Sequence, residues 1–174
     1  MNPVSTRLIE ELEQTRGALL AAVSAVPAAH QTLRPAPESW SVAEVLEHLT
    51  LVERRSVLLL HGVAQKAKAG LAAPSNGTLP RELLLDRSRK VSAAEAVRPT
   101  GSVTISESLQ QLEAARQNLH TLVSAANEQL LAAHTYDHPA FGPLNFLQWV
   151  EFLVGHEARH TAQIVETAQR LQAS

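Results

Sequence analysis

Two histidines stand four residues apart in "GHEARHTAQI" (155–164), and a third, His48, lies in "ESWSVAEVLEHL" (38–49), more than a hundred residues upstream. A neutral imidazole is a good ligand for a divalent metal, and three of them can occupy one face of an ion. The i, i+4 pair is the spacing that lets two imidazoles of one helix reach a single ion. Three protein ligands leave positions open for water or substrate, the mark of a catalytic rather than a structural site. The competing reading is plain. H-x-x-x-H occurs often by chance, and a lone inward histidine is more often a hydrogen-bonded core residue. What matters is whether His48, His156 and His160 face one another.

Residues of an α-helix are 100° apart, so each direction follows from the pattern. With Leu153 at the centre of the inward stripe, Trp149 lies at about −40°, Ile164 at about +20° and Leu171 at about 0°. His160 then falls at roughly −20° and His156 at roughly −60°, one turn apart on one flank of the stripe. Upstream, with Val45 as centre, Leu49 and Val52 lie at about +40° and −20°, and His48 at about −60°. Three of the eight histidines therefore aim inward, from two segments. His61 points away from the core, His120 is on the outer part of its helix, and His30, His134 and His138 fall in loops.

Four helical segments must position them. The first runs from about Ser5 to Val26, with Leu8, Leu12, Leu19 and Val23 at helical spacing and Pro27 as its stop. The second opens at Ser41, with Glu44 completing a capping box and Trp40 placed to staple onto Val45. It continues through Leu49, Val52, Leu59 and Val63 to a stop near Gly70. The third spans about Ser106 to Ala132, with Leu109, Leu112, Leu119, Leu122 and Val123 inward. The fourth is capped by Asn145, with Gln148 at its third position and Leu144 stapling onto Trp149, and runs to about Leu171.

Between Gly70 and Thr104 the chain turns rich in Pro and Gly and loses its periodicity. A connection of about 35 residues is too long for a tight turn, and such loops are usually functional or mobile. It can run back along a second helix roughly 42 Å long, so helices two and three should be parallel neighbours or diagonal. "HTYDHPAFGPLN" (134–145) reads as a loop, and no stretch reads convincingly as a strand. The expected fold is all-α: a single domain, 1–174, built as a four-helix bundle.

Composition narrows the function. The chain has 174 residues, a formal charge of −2 and no cysteine. That excludes disulfides, thiolate ligands and a Cys nucleophile, and it lacks the basic footprint of a nucleic-acid binder. The N-terminus turns charged at once and no apolar run approaches a membrane span, so a soluble cytoplasmic protein without membrane or nucleic-acid partners is expected. Five of the six aromatic residues crowd between Tyr136 and Phe152.

"ESWSVAEVLEHL", followed much later by "HPAFGPLNFLQWVEFLVGHEARHTAQI", resembles the DinB/YfiT-like superfamily of metalloenzymes over nearly the whole chain. The matching residues are Trp40, Ser41 and His48, then Pro139, Gly142, Pro143, His156, His160, Gln163 and Ile164. The resemblance implies an up-down-down-up bundle, a nickel, zinc or similar ion held by His48, His156 and His160, and a homodimer. It also implies an activity. Relatives include S-transferases that use bacillithiol or mycothiol, and others look like metal-dependent hydrolases. The leading expectation is a metal-dependent transferase in which the ion holds a small-molecule thiol as thiolate for attack on an electrophile. The alternatives are hydrolysis by metal-bound hydroxide, and a dimeric binding module without catalysis.

A general base is not assigned. Glu44 could hydrogen-bond an imidazole, although its capping role already explains it. Glu157, near the inward stripe at about +40°, could be a buried acid or an ion-pair partner of Arg116 or Arg159. Tyr136, Asp137 and His138 could border a pocket or merely form a loop. Phe141, Phe146 and Trp149 read as core. Phe152, at about −100°, should be exposed or at a subunit contact. Gly155 costs about 1 kcal/mol relative to Ala in an exposed helix interior, which a close helix approach beside His156 would explain.

Overall fold

The computed structural model describes residues 2–75, 77–89 and 91–173. In chain order its elements are α1 (Pro3–Ser24), α2 (Val42–Lys68), α3 (Arg81–Leu85), α4 (Ile105–Ser124), α5 (Glu128–Ala132), β1 (His134–His138), β2 (Gly142–Asn145) and α6 (Phe146–Gln172). The long helices α1, α2, α4 and α6 make the bundle.

Their starts follow from local chemistry. The Ser41 side chain accepts from the Glu44 N–H while the Glu44 carboxylate accepts from the Ser41 N–H. Thr104 with Glu107 and Asn145 with Gln148 repeat that reciprocal box at α4 and α6. Each box satisfies two of the backbone donors a helix start leaves open. At α1, Asn2 accepts from the Ser5 N–H and Pro3 occupies the first turn, where a missing N–H is harmless.

Side-chain pairs fix the directions. Thr50 with Ser108 and Arg54 with Gln111 rise together, so α2 and α4 run parallel. Arg7 with Glu151 and Thr15 with Glu157 make α1 and α6 parallel as well. Asn2 with Ala126, and Arg116 with Leu12, make α1 and α4 antiparallel. The topology is up-down-down-up, and the long connection spans the bundle because α2 and α4 point the same way.

The core is divided by charge. Arg16, Glu53, Arg116 and Glu157, one from each long helix, are all buried. Arg16 meets Glu53 at 2.9 Å and Glu157 at 2.8 Å; Arg116 meets Glu53 at 2.7 Å and Glu157 at 3.0 Å. Two cations and two anions alternate around a closed ring. Apolar side chains pack on both sides of it, Leu19, Val45, Leu46, Leu112 and Ile164 on one and Leu8, Leu12, Leu60, Leu119 and Leu153 on the other. Glu157 therefore pairs with Arg116, as one reading of the sequence had it, and with Arg16; Arg159 is engaged elsewhere.

Three expectations are corrected. The third helix ends at Ser124, and Asn127 caps a separate short α5. The stretch 134–145 is a hairpin, β1 antiparallel to β2, with an irregularity between His134 and Asp137. Its strand geometry is imposed by packing: Tyr136 lies 4.3 Å from Trp149 between ring centroids, and the Trp149 indole N–H donates to the Tyr136 carbonyl. Phe152 is buried, 5% exposed, because this hairpin covers a face of α6 that a bare bundle would leave open. Gly77 lies against the hairpin so closely that a Cβ there would fall 1.5 Å from the Pro143 carbonyl oxygen. Only glycine fits.

Candidate metal centre

His48 is on α2, in the turn after its capping box, and His156 and His160 are on successive turns of α6. The helices are antiparallel neighbours, and the flanks computed from the sequence do meet. The ligand atoms of the three histidines all lie within 4.8 Å of one another. Ring centroids are separated by 5.1 Å for His48 and His156, 4.8 Å for His48 and His160, and 4.5 Å for His156 and His160. Among the described residues no other group of three or more His or acidic side chains is gathered in this way.

The outward nitrogens are already committed. His48 Nδ1 lies 2.7 Å from the Val97 carbonyl oxygen. A carbonyl only accepts, so Nδ1 carries the proton and Nε2 presents its lone pair inward. His160 Nδ1 lies 2.8 Å from Gln163 Oε1, which sets the same tautomer there. Such a bond to the far ring nitrogen is what orients a metal-ligating histidine. His48 Nε2 and His156 Nε2 are 3.3 Å apart. Two nitrogens at about 2.0–2.1 Å from an ion, subtending a tetrahedral angle, would be roughly 3.3 Å apart. The donor set, and the spacing of this pair, fit a divalent ion.

The surroundings keep the rings neutral. Burial drives the pKa of His160 down to about 3, with His48 adding to the shift. His156 is pushed well below the ordinary histidine value by burial and then by His160 and His48. Burial also lowers His48, against the Val97 hydrogen bond. Neutral imidazole is the form that ligates. Trp40 stands over the cluster, 4.9 Å from His48 and 6.3 Å from His160 between centroids, beyond its role beside the helix start.

The other candidates sort plainly. Glu44 stays in its capping box and pairs with Arg34, so it does not touch a histidine. Glu157 belongs to the ionic ring. Tyr136 is driven up to about 12 by burial and lies in the hairpin packing. Asp137 is largely exposed, 4.0 Å from His134. His138 is the near miss: its ring lies 4.5 Å from Phe152, whose ring is 5.2 Å from His156. Burial takes His138 down to about 4, and its Nδ1 accepts from the Ala140 N–H. Gly155 does mark a close approach, but by Leu84 of α3 rather than by a long helix; a Cβ would meet Leu84 Cδ2 at 2.5 Å. The Val97 carbonyl could not be foreseen, since a backbone oxygen in an aperiodic stretch has no sequence signal. Gln163 had one, the i, i+3 spacing from His160.

A cleft of about 600 Å³ lies elsewhere, off the N-terminal ends of α2 and α4, between Arg34, Glu44 and Thr104. Its two charged side chains satisfy each other. The chemistry is concentrated at the histidines.

Fold and site together define an up-down-down-up four-helix bundle with a buried three-histidine cluster between α2 and α6. The chain belongs to the DinB superfamily, whose family model matches residues 11–164. It is 26% identical over 140 residues to the uncharacterized protein YuaE of Bacillus subtilis (strain 168), covering 80% of this chain and 83% of that one. Two solved structures resemble it. TT2238, a four-helix bundle protein, matches with a TM-score of 0.62 at 25% identity, covering 98% of this chain and 99% of that one. YfiT from Bacillus subtilis, described as a probable metal-dependent hydrolase with an unusual four-helix bundle topology, matches with a TM-score of 0.64 at 16% identity, over 99% and 90%.

Proposed function

We propose that the protein is a divalent-metal-dependent enzyme whose ion is held by His48, His156 and His160. One observation carries this reading: three neutral imidazoles from two helices bring their ligand atoms within 4.8 Å of one another. A bound ion would lower the pKa of a coordinated water or thiol and polarise a carbonyl. The chain's own part is to hold the rings. Val97 and Gln163 fix the tautomers of His48 and His160, and Trp40 shields both. Nickel and zinc are the ions in view, and the working unit is a cytoplasmic homodimer.

Of the reactions open to such a centre, a thiol-dependent S-transferase of the bacillithiol or mycothiol type is the leading reading, resting on the family resemblance. Hydrolysis is the second, supported by the description of YfiT. A dimeric binding module without catalysis is the reading to exclude. Protein purified without a nickel column and analysed for metal separates the classes. One equivalent of metal per chain, lost in His48→Ala or His160→Ala, is expected; metal-free protein of unchanged stability favours the module. Transfer assays with several low-molecular-weight thiols, run beside hydrolysis assays, then divide transferase from hydrolase.

A further inference from the structure

The residue immediately before each of the three histidines holds the same piece of chain, the connection 69–104. Before His48, the buried Glu47 carboxylate accepts from the Thr100 N–H at 2.9 Å, the Thr100 hydroxyl at 2.7 Å and the Gly101 N–H at 2.8 Å. Before His156, Gly155 leaves the space that Leu84 fills. Before His160, Arg159 donates to the carbonyls of Leu84 at 3.2 Å, Arg89 at 2.6 Å and Asp86. The regularity has a geometric cause. Preceding residues lie 100° to the same side of the histidine stripe, so the connection runs along that side.

The anchors fall on both ligand helices. Residues 84–89 are fastened to α6 and residues 97–101 to α2, the two helices that carry the three rings. The connection touches the cluster directly, through the Val97 carbonyl on His48. Arg159 is the main polar fastening on α6. Arg159 as a residue is 9% exposed, and its guanidinium's hydrogen-bond partners among the described residues are carbonyls alone. A buried cation satisfied by backbone oxygens holds those oxygens tightly, because releasing them would strand the charge. A second tether of the same stretch to α6, Arg87 to Glu166, is partly exposed and correspondingly weaker.

We propose that Arg159 is a positioning residue that latches the connection across the three-histidine centre, and so sets how fast an ion or small ligand enters and leaves. The ligand half of this statement rests on the metal reading above. The latch half does not.

Two readouts test it on the full-length protein. Metal-free wild type, Arg159→Ala, Leu84→Ala and, as an indifferent control, Arg54→Ala are digested with trypsin, following cleavage after Arg87 and Arg89. The same proteins, loaded with Zn²⁺, are mixed with a chromogenic chelator and the release rate is recorded beside the equilibrium affinity. Arg159→Ala loses all three of its carbonyl hydrogen bonds, and since even one charge-assisted bond is enough, cleavage is expected to speed about tenfold or more. Leu84→Ala follows it in direction, and Arg54→Ala matches wild type. Zn²⁺ release accelerates by a similar factor while affinity changes much less, because uptake accelerates too. A merely structural role would lower affinity without that split. Cleavage within about twofold of wild type in both variants overturns the latch, as does faster cleavage with unchanged Zn²⁺ release. A wild type that takes up no Zn²⁺ contradicts the metal reading instead; the metal-free digestion then decides the latch alone, a difference upholding it and equal rates overturning it.

Discussion

At the residue scale, the centre combines three rings that prefer to be neutral with an environment that enforces it. Each has a folded pKa below its unfolded value of about 6.5, so the unfolded chain binds more protons as the pH falls. Stability of the metal-free protein is therefore fully present above about pH 7 and is lost as the pH drops through 6.5 toward the folded values. For His160, with a folded pKa of about 3, the loss at pH 5 amounts to about 2 kcal/mol. Denaturant titrations in the presence of a chelator, at pH 7.5 and pH 5, measure it; a midpoint unchanged between them would show that the rings are solvated. His160→Gln removes the titration at its source and should flatten part of that pH dependence. The inward aim of these three residues was legible in the sequence, because helical periodicity fixes direction once the apolar stripe is known. Their Nδ1 partners were only half legible, Gln163 from its spacing and Val97 not at all.

At the element scale, the starts of α2 and α6 were legible because capping is local: Ser41 and Asn145 each satisfy backbone donors within three residues. Thr104 does the same for α4, a cap the sequence reading did not single out. Ser41→Ala should cost about 1 kcal/mol and fray the turn that leads to His48, seen as a lower denaturation midpoint with an unchanged m value. A midpoint within error of wild type would mean that tertiary packing alone holds that end. The hairpin was not legible. "HTYDHPAFGPLN" carries Pro139 and Pro143 and little alternation, and its pairing depends on Trp149 and Phe152 arriving from α6. The same distant packing explains Phe152, whose direction was read correctly but against a bundle with nothing outside it. α3 is five residues long and gains its place from Leu84 and the Arg159 hydrogen bonds, neither of which has a period to detect.

At the scale of the whole molecule, the ionic ring ties all four long helices at one level. Removing one member strands its partners in the core. Glu53→Ala should therefore destabilise by about 3–5 kcal/mol, whereas replacing Arg16, Glu53, Arg116 and Glu157 together by apolar residues of similar volume should be neutral or stabilising by about 1–4 kcal/mol. Urea unfolding of both variants checks the contrast, and a quadruple variant less stable than Glu53→Ala would contradict it. The ring was partly legible, since Glu157 lay near the inward stripe with Arg116 as one candidate partner, but its closure by Arg16 and Glu53 depends on which helices are neighbours. That arrangement is also what brings α2 and α6 together as antiparallel partners and so joins His48 to the pair on α6. The most direct measurement of that convergence is anomalous diffraction from crystals of metal-loaded protein, recorded above and below the candidate absorption edges. The account predicts a single peak at about 2.0–2.1 Å from Nε2 of His48, His156 and His160. Rings that hydrogen-bond one another with no ion between them, under saturating metal, would contradict it.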